Sequence, residues 1–157
     1  MPNDRDCRRL LEQADYLEGV LWADPARRLD NQVDPDDIDP WGTGTAAFWR
    51  GLIESAGYIA LLTNDQRTYP RLELRASWPV LSKMLEFLQE EVNQANGLKW
   101  DWDEGGKFQW QAGGGRVRVC GVKAQEAIRA LYPPDSTVGL ESIRAKVDRI
   151  LTWTPRR

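Results

Sequence analysis

The sequence predicts an α+β domain in which an antiparallel sheet is covered by helices on one side. Short segments between residues 58 and 120 alternate apolar and polar residues, which is typical of half-buried strands. Apolar stripes at helical spacing lie before, between and after these segments. The separators DEGG and AGGG are turn signals. Together these patterns favour an antiparallel sheet with helices packed on its apolar face.

Length and composition bound the class of protein. The chain has 157 residues, of which 41% are apolar and 29% charged, so it holds one globular domain, or one domain and an arm. It has no histidine, which excludes Ser-His-Asp hydrolysis, Cys-His proteolysis, HExxH zinc chemistry and histidine-centred nucleases. Two cysteines without histidine cannot complete a common zinc site, and we expect a reducing compartment. Neither a signal peptide nor a membrane span is evident, which predicts a cytoplasmic protein.

Charge divides the chain into two parts. Residues 1–40 hold 11 acidic and 5 basic side chains, and residues 41–157 hold 13 acidic and 16 basic ones. We therefore expect an acidic N-terminal arm, residues 1–40, and a mildly basic body, residues 41–157. The asymmetry indicates either a polyanionic partner or simply a solvated arm.

The elements follow from periodicity, in chain order. The arm predicts a helix over about Asp4–Trp22 and then a loop rich in Asp, Pro and Gly. In the body Gly57 is a natural C′ residue that closes the first helix. The body helices are predicted over about Thr45–Ala56, Trp78–Asn93, Lys123–Tyr132 and Leu140–Trp153, and the strands over about 58–63, 69–76, 98–103, 107–111 and 116–120.

One face of the predicted sheet is strongly polar. Arg and Gln are the side chains that read base edges bidentately, and Lys and Arg hold phosphates. The face therefore indicates nucleic-acid binding, although a solvated sheet face is the ordinary alternative. The candidate DNA contacts are Arg71, Glu73, Arg75, Lys99, Gln109, Gln111, Arg116 and Arg118.

The segment AAFWRGLIESAGYIAL resembles the signature of the LAGLIDADG homing endonucleases. Residues 49–57 match its nine positions at Gly51, Leu52, Ile53 and Gly57, and Glu54 matches the first acidic position by class. The predicted order of helix, two strands, helix, strands and closing helices is also similar, so the resemblance covers roughly residues 42–153. It implies an antiparallel sheet saddle, covered by helices on one face, that binds DNA.

The resemblance also implies a dimer. In the family two motif helices pair at a two-fold axis, and one motif in a chain this short implies a homodimer that reads a pseudo-palindromic site. The face formed by Ala47, Gly51 and Ser55 is the expected dimer interface, because small residues at this spacing allow close helix packing. The alternative is that this face packs against another part of its own chain.

The catalytic position departs from the family pattern. The eighth motif position, which in the family is an Asp or Glu that holds divalent metal, is Ala56. Glu54 is the remaining candidate, but two residues turn a helix by about 200°, so it points elsewhere. Glu141 stands where family members often have a basic residue, with Arg144 and Lys146 nearby. We therefore expect no resident cofactor and little or no cleavage.

Four functions remain open on the sequence. The first is a homodimeric, cleavage-deficient protein that binds double-stranded DNA. The second is an active homing endonuclease that uses Mg²⁺ and a carboxylate such as Glu54. The third is an RNA-binding splicing helper, and the fourth is a protein-interaction module on the same scaffold.

Overall fold

The structure is a computed structural model that describes residues 3–38, 45–96, 107–111 and 114–155. Within these ranges, the N-terminal segment forms helix α1, the short helix α2 and one 3-10 turn, and the later residues form four helices and four strands. In chain order the elements are α1 (Asp4–Trp22), α2 (Pro25–Arg28), the 3-10 turn (Pro35–Asp37), α3 (Ala46–Ala56), β1 (Tyr58–Asn64), β2 (Arg67–Ala76), α4 (Trp78–Asn96), β3 (Lys107–Gln111), β4 (Gly114–Cys120), α5 (Gly121–Leu131) and α6 (Glu141–Leu151).

The four strands form one antiparallel sheet in the order β1-β2-β4-β3. A two-residue turn at Asp65 and Gln66 joins β1 to β2, and both residues have positive φ, as tight hairpin turns require. The central pair is β2 with β4, in the register Arg71↔Cys120 and Arg75↔Arg116. The predicted strand over residues 98–103 lies outside the described residues.

Alternation along the central strands gives the sheet one buried face. Leu72, Leu74, Val117 and Val119 are at most 2% exposed and join the core with residues of α3, α4, α5 and α6. The residues between them, from Arg71 to Arg75 and from Arg116 to Arg118, are half-buried or exposed. The prediction of an α+β domain with an antiparallel sheet covered by helices on one face is therefore confirmed at this level.

The structure differs from the prediction at two glycines. Gly57 closes α3, but its φ of −100° and ψ of −163° are extended and not left-handed. A Cβ on Gly57 would lie 2.9 Å from the carbonyl oxygen of Glu73, so close approach of β2 explains the glycine. Gly121 has φ +71° where β4 turns directly into α5, which therefore begins two residues before the predicted start.

The N-terminal segment is part of the packed domain. α1 lies along α3 in the most extensive contact between two elements of the described chain. Further on, the amide of Ser77 donates to the carbonyl of Arg28 at 2.7 Å, and the Arg28 guanidinium donates to the carbonyl of Arg75. The helix α1 and the segment around Arg28 therefore pack against residues 45–96, whereas we expected residues 1–40 to form a separate arm. None of the helices in the described ranges is long and apolar enough to cross a membrane.

Candidate nucleic-acid interface

The open face of the sheet carries a cluster of arginines. Arg71 and Arg75 lie on β2 and Arg116 and Arg118 on β4, and their alternation with buried residues directs all four side chains to this face. Glu73 lies among them, so the cluster holds four positive charges and one negative charge. Five of the eight predicted contact residues are therefore brought together on one surface.

Glu73 is the centre of this cluster. Its Oε1 lies 3.1 Å from Arg116 Nη1, and its Oε2 lies 3.5 Å from Arg118 Nε. All three side chains are between 20% and 31% exposed, so water screens these ion pairs and they contribute little to stability. The effect of Glu73 is positional, because it holds two guanidinium groups of β4 at the middle of the open face.

The Arg71 guanidinium retains a free donor. Its Nε is buried and has no hydrogen-bond partner within the described residues. A hydrogen bond with Cys120, its register partner on β4, raises the pKa of Arg71, so the group stays positively charged. A buried, unpaired donor is costly unless a ligand or water satisfies it. The positive charge that Arg71 keeps, and not its buried Nε, is what this residue offers to an anionic ligand at the open face.

The remaining predicted contacts are only partly described. Gln109 and Gln111 lie in β3, whose register pairs Gln109 with Arg116 and Gln111 with Gly114. Lys99 lies outside the described residues.

The motif helix α3 contacts α1 at two glycines. A Cβ on Gly51 would lie 2.0 Å from the carbonyl oxygen of Tyr16 and 3.2 Å from the amide nitrogen of Val20. A Cβ on Gly19 would lie 1.9 Å from the carbonyl oxygen of Phe48 and 2.9 Å from the amide nitrogen of Leu52. The two backbones are therefore in direct contact, at a separation that no larger residue permits.

This contact corrects the expected dimer interface. Ala47 and Gly51 are buried, and the helix on the Gly51 face is α1 of the same chain. Ser55, the third residue of that face, is exposed. Packing within the chain, which the sequence left open as the alternative, is what the structure has. The spacing of small residues does not identify the partner, because the same helix face can pack closely against a helix of a second copy or a helix of the same chain.

The contact between α1 and α3 is locally symmetric. Gly19 contacts Phe48 and Leu52, and Gly51 contacts Tyr16 and Val20. The offset in residue number from Gly19 to Gly51 also takes Tyr16 to Phe48 and Val20 to Leu52, so the two halves of the contact are equivalent. Residues that precede the two contact glycines, including Asp15 of α1 and Ala47 of α3, line one pocket of about 300 Å³. The helices therefore run in the same direction and end at the same end of the pair.

This Gly19-to-Gly51 offset reveals a correspondence that is easily missed in the sequence. Besides the two glycines, it aligns Val20 with Leu52 and Leu21 with Ile53, and it aligns Asp24 with Ala56. Asp24, which lies two residues beyond the end of α1, thus matches Ala56, the position in α3 where the resemblance implies the catalytic carboxylate. Among these pairs only Gly19 and Gly51 are identical. The repeat is therefore recognised by the spacing of its glycine and aliphatic residues and not by sequence identity.

Asp24 lies near the basic face. It is exposed, and its Oδ1 accepts a hydrogen bond of 3.0 Å from the amide of Ala26 as the N-cap of α2. Burial lowers the pKa of Arg28, the charge of Arg75 lowers it further, and the charge of Asp24 raises it. Asp24, Arg28 and Arg75 are therefore close enough to interact electrostatically where β2 ends.

Glu54 has a structural environment. Its Oε1 accepts from the Tyr16 hydroxyl at 3.0 Å and from the Leu140 amide at 2.6 Å, and its Oε2 accepts from the Tyr132 hydroxyl at 2.7 Å. These donors come from α1, the end of α5 and the start of α6. The carboxylate therefore joins three parts of the chain, and its oxygens are already occupied by protein donors.

The basic candidates beside the motif have separate surroundings. Arg144 Nη1 donates to Ser136 Oγ at 2.9 Å, and its guanidinium lies 5.1 Å from the ring centroid of Tyr132. Glu141 is the first residue of α6 and Lys146 lies further along it, and both are exposed.

Within the described ranges, no three Cys, Asp or Glu residues lie together as a group that could hold a metal ion. Comparison of the chain with protein-family models and with curated proteins finds no match.

Proposed function

We propose that this chain binds double-stranded DNA through the open face of its sheet, on a LAGLIDADG-like scaffold, and that it does not cut the DNA it binds. The observation that carries the proposal is the cluster of Arg71, Arg75, Arg116 and Arg118 on one face of the two central strands. Its support is chemical, because guanidinium groups bind phosphates and the edge of guanine bidentately.

The sheet has a form that suits a groove of DNA. Strands can enter the major groove, and successive outward residues on a strand then face the bases and the backbone in turn. Arg75 and Arg116 are register partners, as are Glu73 and Arg118, so they form two cross-strand pairs at the centre of the sheet. Glu73, whose two oxygens pair with Arg116 and Arg118, orients these two guanidinium groups, and their remaining donors can bind guanine or phosphate.

The scaffold proposal rests on order and topology. In the described residues from α3 to α6 the order is helix, two strands, helix, two strands and two closing helices, similar to the order that the resemblance implies, with sheet order β1-β2-β4-β3. The α1–α3 contact supports it further, because two helices in glycine contact are what the resemblance implies at the centre of the saddle.

The proposed lack of cleavage rests on the residues at the C-terminal ends of α1 and α3. Metal-assisted hydrolysis of a phosphodiester needs anionic ligands that fix the metal at the scissile phosphate. Asp24 offers one carboxylate at the end of α1, whereas Ala56 offers none at the end of α3. Glu54 is held by Tyr16, Tyr132 and the Leu140 amide, which leaves it poorly placed to substitute.

The test is a salt titration of binding to duplex DNA, with duplex RNA in parallel. We expect the Arg116→Ala/Arg118→Ala double variant to weaken binding to DNA and to reduce the slope of log K against log[salt] by about 2, since each phosphate contact contributes about 0.9. A matched control is Arg129→Ala/Arg149→Ala, which removes two exposed arginines of α5 and α6. That control should leave the slope unchanged.

The outcomes separate the proposed functions. Equal loss of affinity in both double variants would show that binding follows net charge and not the open face. Tighter binding to RNA than to DNA would favour the splicing-helper function. No binding to either nucleic acid at low salt would leave the scaffold as a protein-interaction module.

A further inference from the structure

Glu73 is the one acidic residue in the two central strands, β2 and β4. Arg71 and Arg75 lie two residues before and after it on the same strand. Arg118 is its register partner on β4, and Arg116 lies diagonally across. The carboxylate therefore stands at the centre of four guanidinium groups. A face that only attracted phosphate would bind it more strongly without Glu73, because the carboxylate cancels one of the four positive charges.

The stability of the fold does not account for this carboxylate. The side chains of its two ion pairs are 20% to 31% exposed, so water screens the pairs and they contribute little to stability. A carboxylate at this place can act in two ways. It can relieve the repulsion between the arginines through its charge, or it can hold particular guanidinium groups in position.

The geometry of the ion pairs favours the second way. Glu73 Oε1 lies 3.1 Å from Arg116 Nη1, and Glu73 Oε2 lies 3.5 Å from Arg118 Nε, so each oxygen contacts a different guanidinium group. The Nε atoms of both arginines are buried. A guanidinium group in this position reaches a ligand only with its terminal Nη atoms, which carry most of its N–H donors.

We propose that Glu73 determines sequence specificity at the open face, because it holds Arg116 and Arg118 end-on for the edges of two guanines in a DNA duplex. This inference rests on the proposed binding of double-stranded DNA. Glu73 is a positioning residue in this arrangement, since it contacts the arginines and they contact the bases.

The physical reason is the difference between phosphate contacts and base contacts. Phosphates repeat along every sequence, so an arginine that binds them carries no sequence information. Guanine O6 and N7 accept two hydrogen bonds from one arginine, and such a contact discriminates between bases by about 5-fold to 150-fold. A guanidinium group that is already held in one orientation loses less freedom when it forms this contact. Glu73 also weakens binding to phosphate through its charge, so both effects raise discrimination.

The experiment begins with the wild-type chain and a pool of duplexes that have a randomised centre. We expect the tightest-binding duplexes to be enriched in guanine at two positions. Dissociation constants are then measured for a selected duplex and for a scrambled duplex of the same composition, over a range of salt. Their ratio measures discrimination, and the slope of log K against log[salt] for the scrambled duplex measures phosphate contacts.

Two variants separate charge from position. Glu73→Gln has one acceptor oxygen and no charge, so discrimination should fall by about 5-fold or more. Its slope for the scrambled duplex should become steeper by about 0.9, because one more guanidinium group is released to bind phosphate. Glu73→Asp keeps the charge but withdraws the carboxylate by one methylene group. It should therefore lose discrimination while its slope stays at the wild-type value.

Glu86→Gln is the matched control. Glu86 lies on α4, is 72% exposed and pairs with Lys83 at 3.9 Å, so this variant removes the same charge from an exposed ion pair on a helix. It should leave both the discrimination and the slope unchanged. All three variants should melt close to the wild-type temperature, since exposed ion pairs add little to stability.

The outcomes distinguish this inference from the proposed function. Duplex binding without discrimination, selected sequences without guanine, or full discrimination in Glu73→Gln would overturn the role of Glu73 and leave DNA binding intact. Full discrimination in Glu73→Asp would assign the effect to charge and overturn the positioning role. Failure of the wild-type chain to bind any duplex at low salt would overturn the proposed function and this inference together.

Discussion

Arg50 is a charged residue with 1% of its surface exposed, and each of its nitrogens has a partner. Nη2 lies 2.5 Å from Glu12 Oε1, Nη1 donates to the Leu131 carbonyl at 2.9 Å, and Nε donates to the Val138 carbonyl at 3.1 Å. Burial lowers the pKa of Arg50 and the charge of Glu12 raises it, so Glu12 is what keeps the buried group compensated. Removing one partner of a buried pair leaves an isolated charge, which costs several kcal/mol.

We therefore expect Glu12→Gln to lower the free energy of unfolding by about 2 kcal/mol or more. Urea denaturation monitored by circular dichroism measures this change. Glu18→Gln is the matched control on the same helix, and surface changes of that kind stay within about 0.5 kcal/mol. Equal effects of the two variants would show that the Arg50 pair contributes no more than an ordinary surface charge.

The two tyrosines at Glu54 predict how stability depends on pH. Burial, the charge of Glu54 and the hydrogen bond to it raise the pKa of Tyr16 to about 12 and raise that of Tyr132 further. The unfolded chain loses the same protons near pH 10. The tyrosines thus stabilise the fold fully below pH 10, and their contribution falls as the pH rises from 10 towards 12 and beyond. The urea midpoint should therefore be level from pH 7 to 9 and fall above 10.

Tyr132→Phe should reduce this alkaline loss, because it removes the group with the larger pKa increase. At neutral pH the same variant should cost about 1 kcal/mol, the usual worth of one hydrogen bond. Tyr58→Phe is the control, since Tyr58 is 45% exposed on β1. An unchanged slope above pH 10 in Tyr132→Phe would assign the alkaline loss to other groups.

At the scale of elements, α1 and α3 depend on two glycines. A helical Gly→Ala change ordinarily stabilises a protein by about 0.5–1 kcal/mol. Here the added Cβ would lie 1.9–2.0 Å from a backbone oxygen of the facing helix, so the sign reverses. We expect Gly19→Ala and Gly51→Ala each to cost about 2 kcal/mol or more.

The double variant Gly19→Ala/Gly51→Ala should cost less than the sum, because one separation of the helices relieves both clashes. Ser55→Ala, on the exposed side of α3, is the control and should change stability little. Gly51→Leu goes further and should displace α1, giving insoluble or partly unfolded protein. Full stability in Gly51→Leu would contradict the helix contact.

The sequence predicts the elements well and their partners poorly. Apolar and polar residues alternate strictly in β2 and β4, which assigns Leu72 and Val117 to the buried face and Arg71 and Arg116 to the open face. A shift of one residue in strand register would reverse this assignment, so only one register buries the apolar residues. The helix α1 was likewise predictable from its apolar stripe. Its position on α3 was not, because Gly19 reads in the sequence as an ordinary small residue. Glu54 reads as a catalytic candidate by its place in a motif, whereas its donors come from residues 38, 78 and 86 positions away.

At the scale of the whole molecule, the residues at the ends of α1 and α3 determine whether DNA bound on the open sheet face could be hydrolysed. Asp24 stands at the end of α1, and the Gly19-to-Gly51 offset puts Ala56 at the matching place in α3. A carboxylate at a helix C-terminus is opposed by the macrodipole by about 0.3–1 kcal/mol, so alanine at position 56 favours stability and not catalysis. We accordingly expect no detectable cleavage of bound duplex in Mg²⁺ or Mn²⁺.

Ala56→Asp tests this arrangement directly. It would add a second carboxylate beside Asp24, so the metal-free variant should melt at a lower temperature than wild type because the two charges repel. Divalent ions bound between the carboxylates stabilise only the folded chain, so Mg²⁺ should restore the melting temperature. The double variant Asp24→Asn/Ala56→Asp has one carboxylate and should lose the Mg²⁺ response, and Ser55→Asp should show none. A Mg²⁺ response that survives in Asp24→Asn/Ala56→Asp would refute the pairing of positions 24 and 56, while efficient metal-dependent cutting by the unaltered chain would make it an active endonuclease.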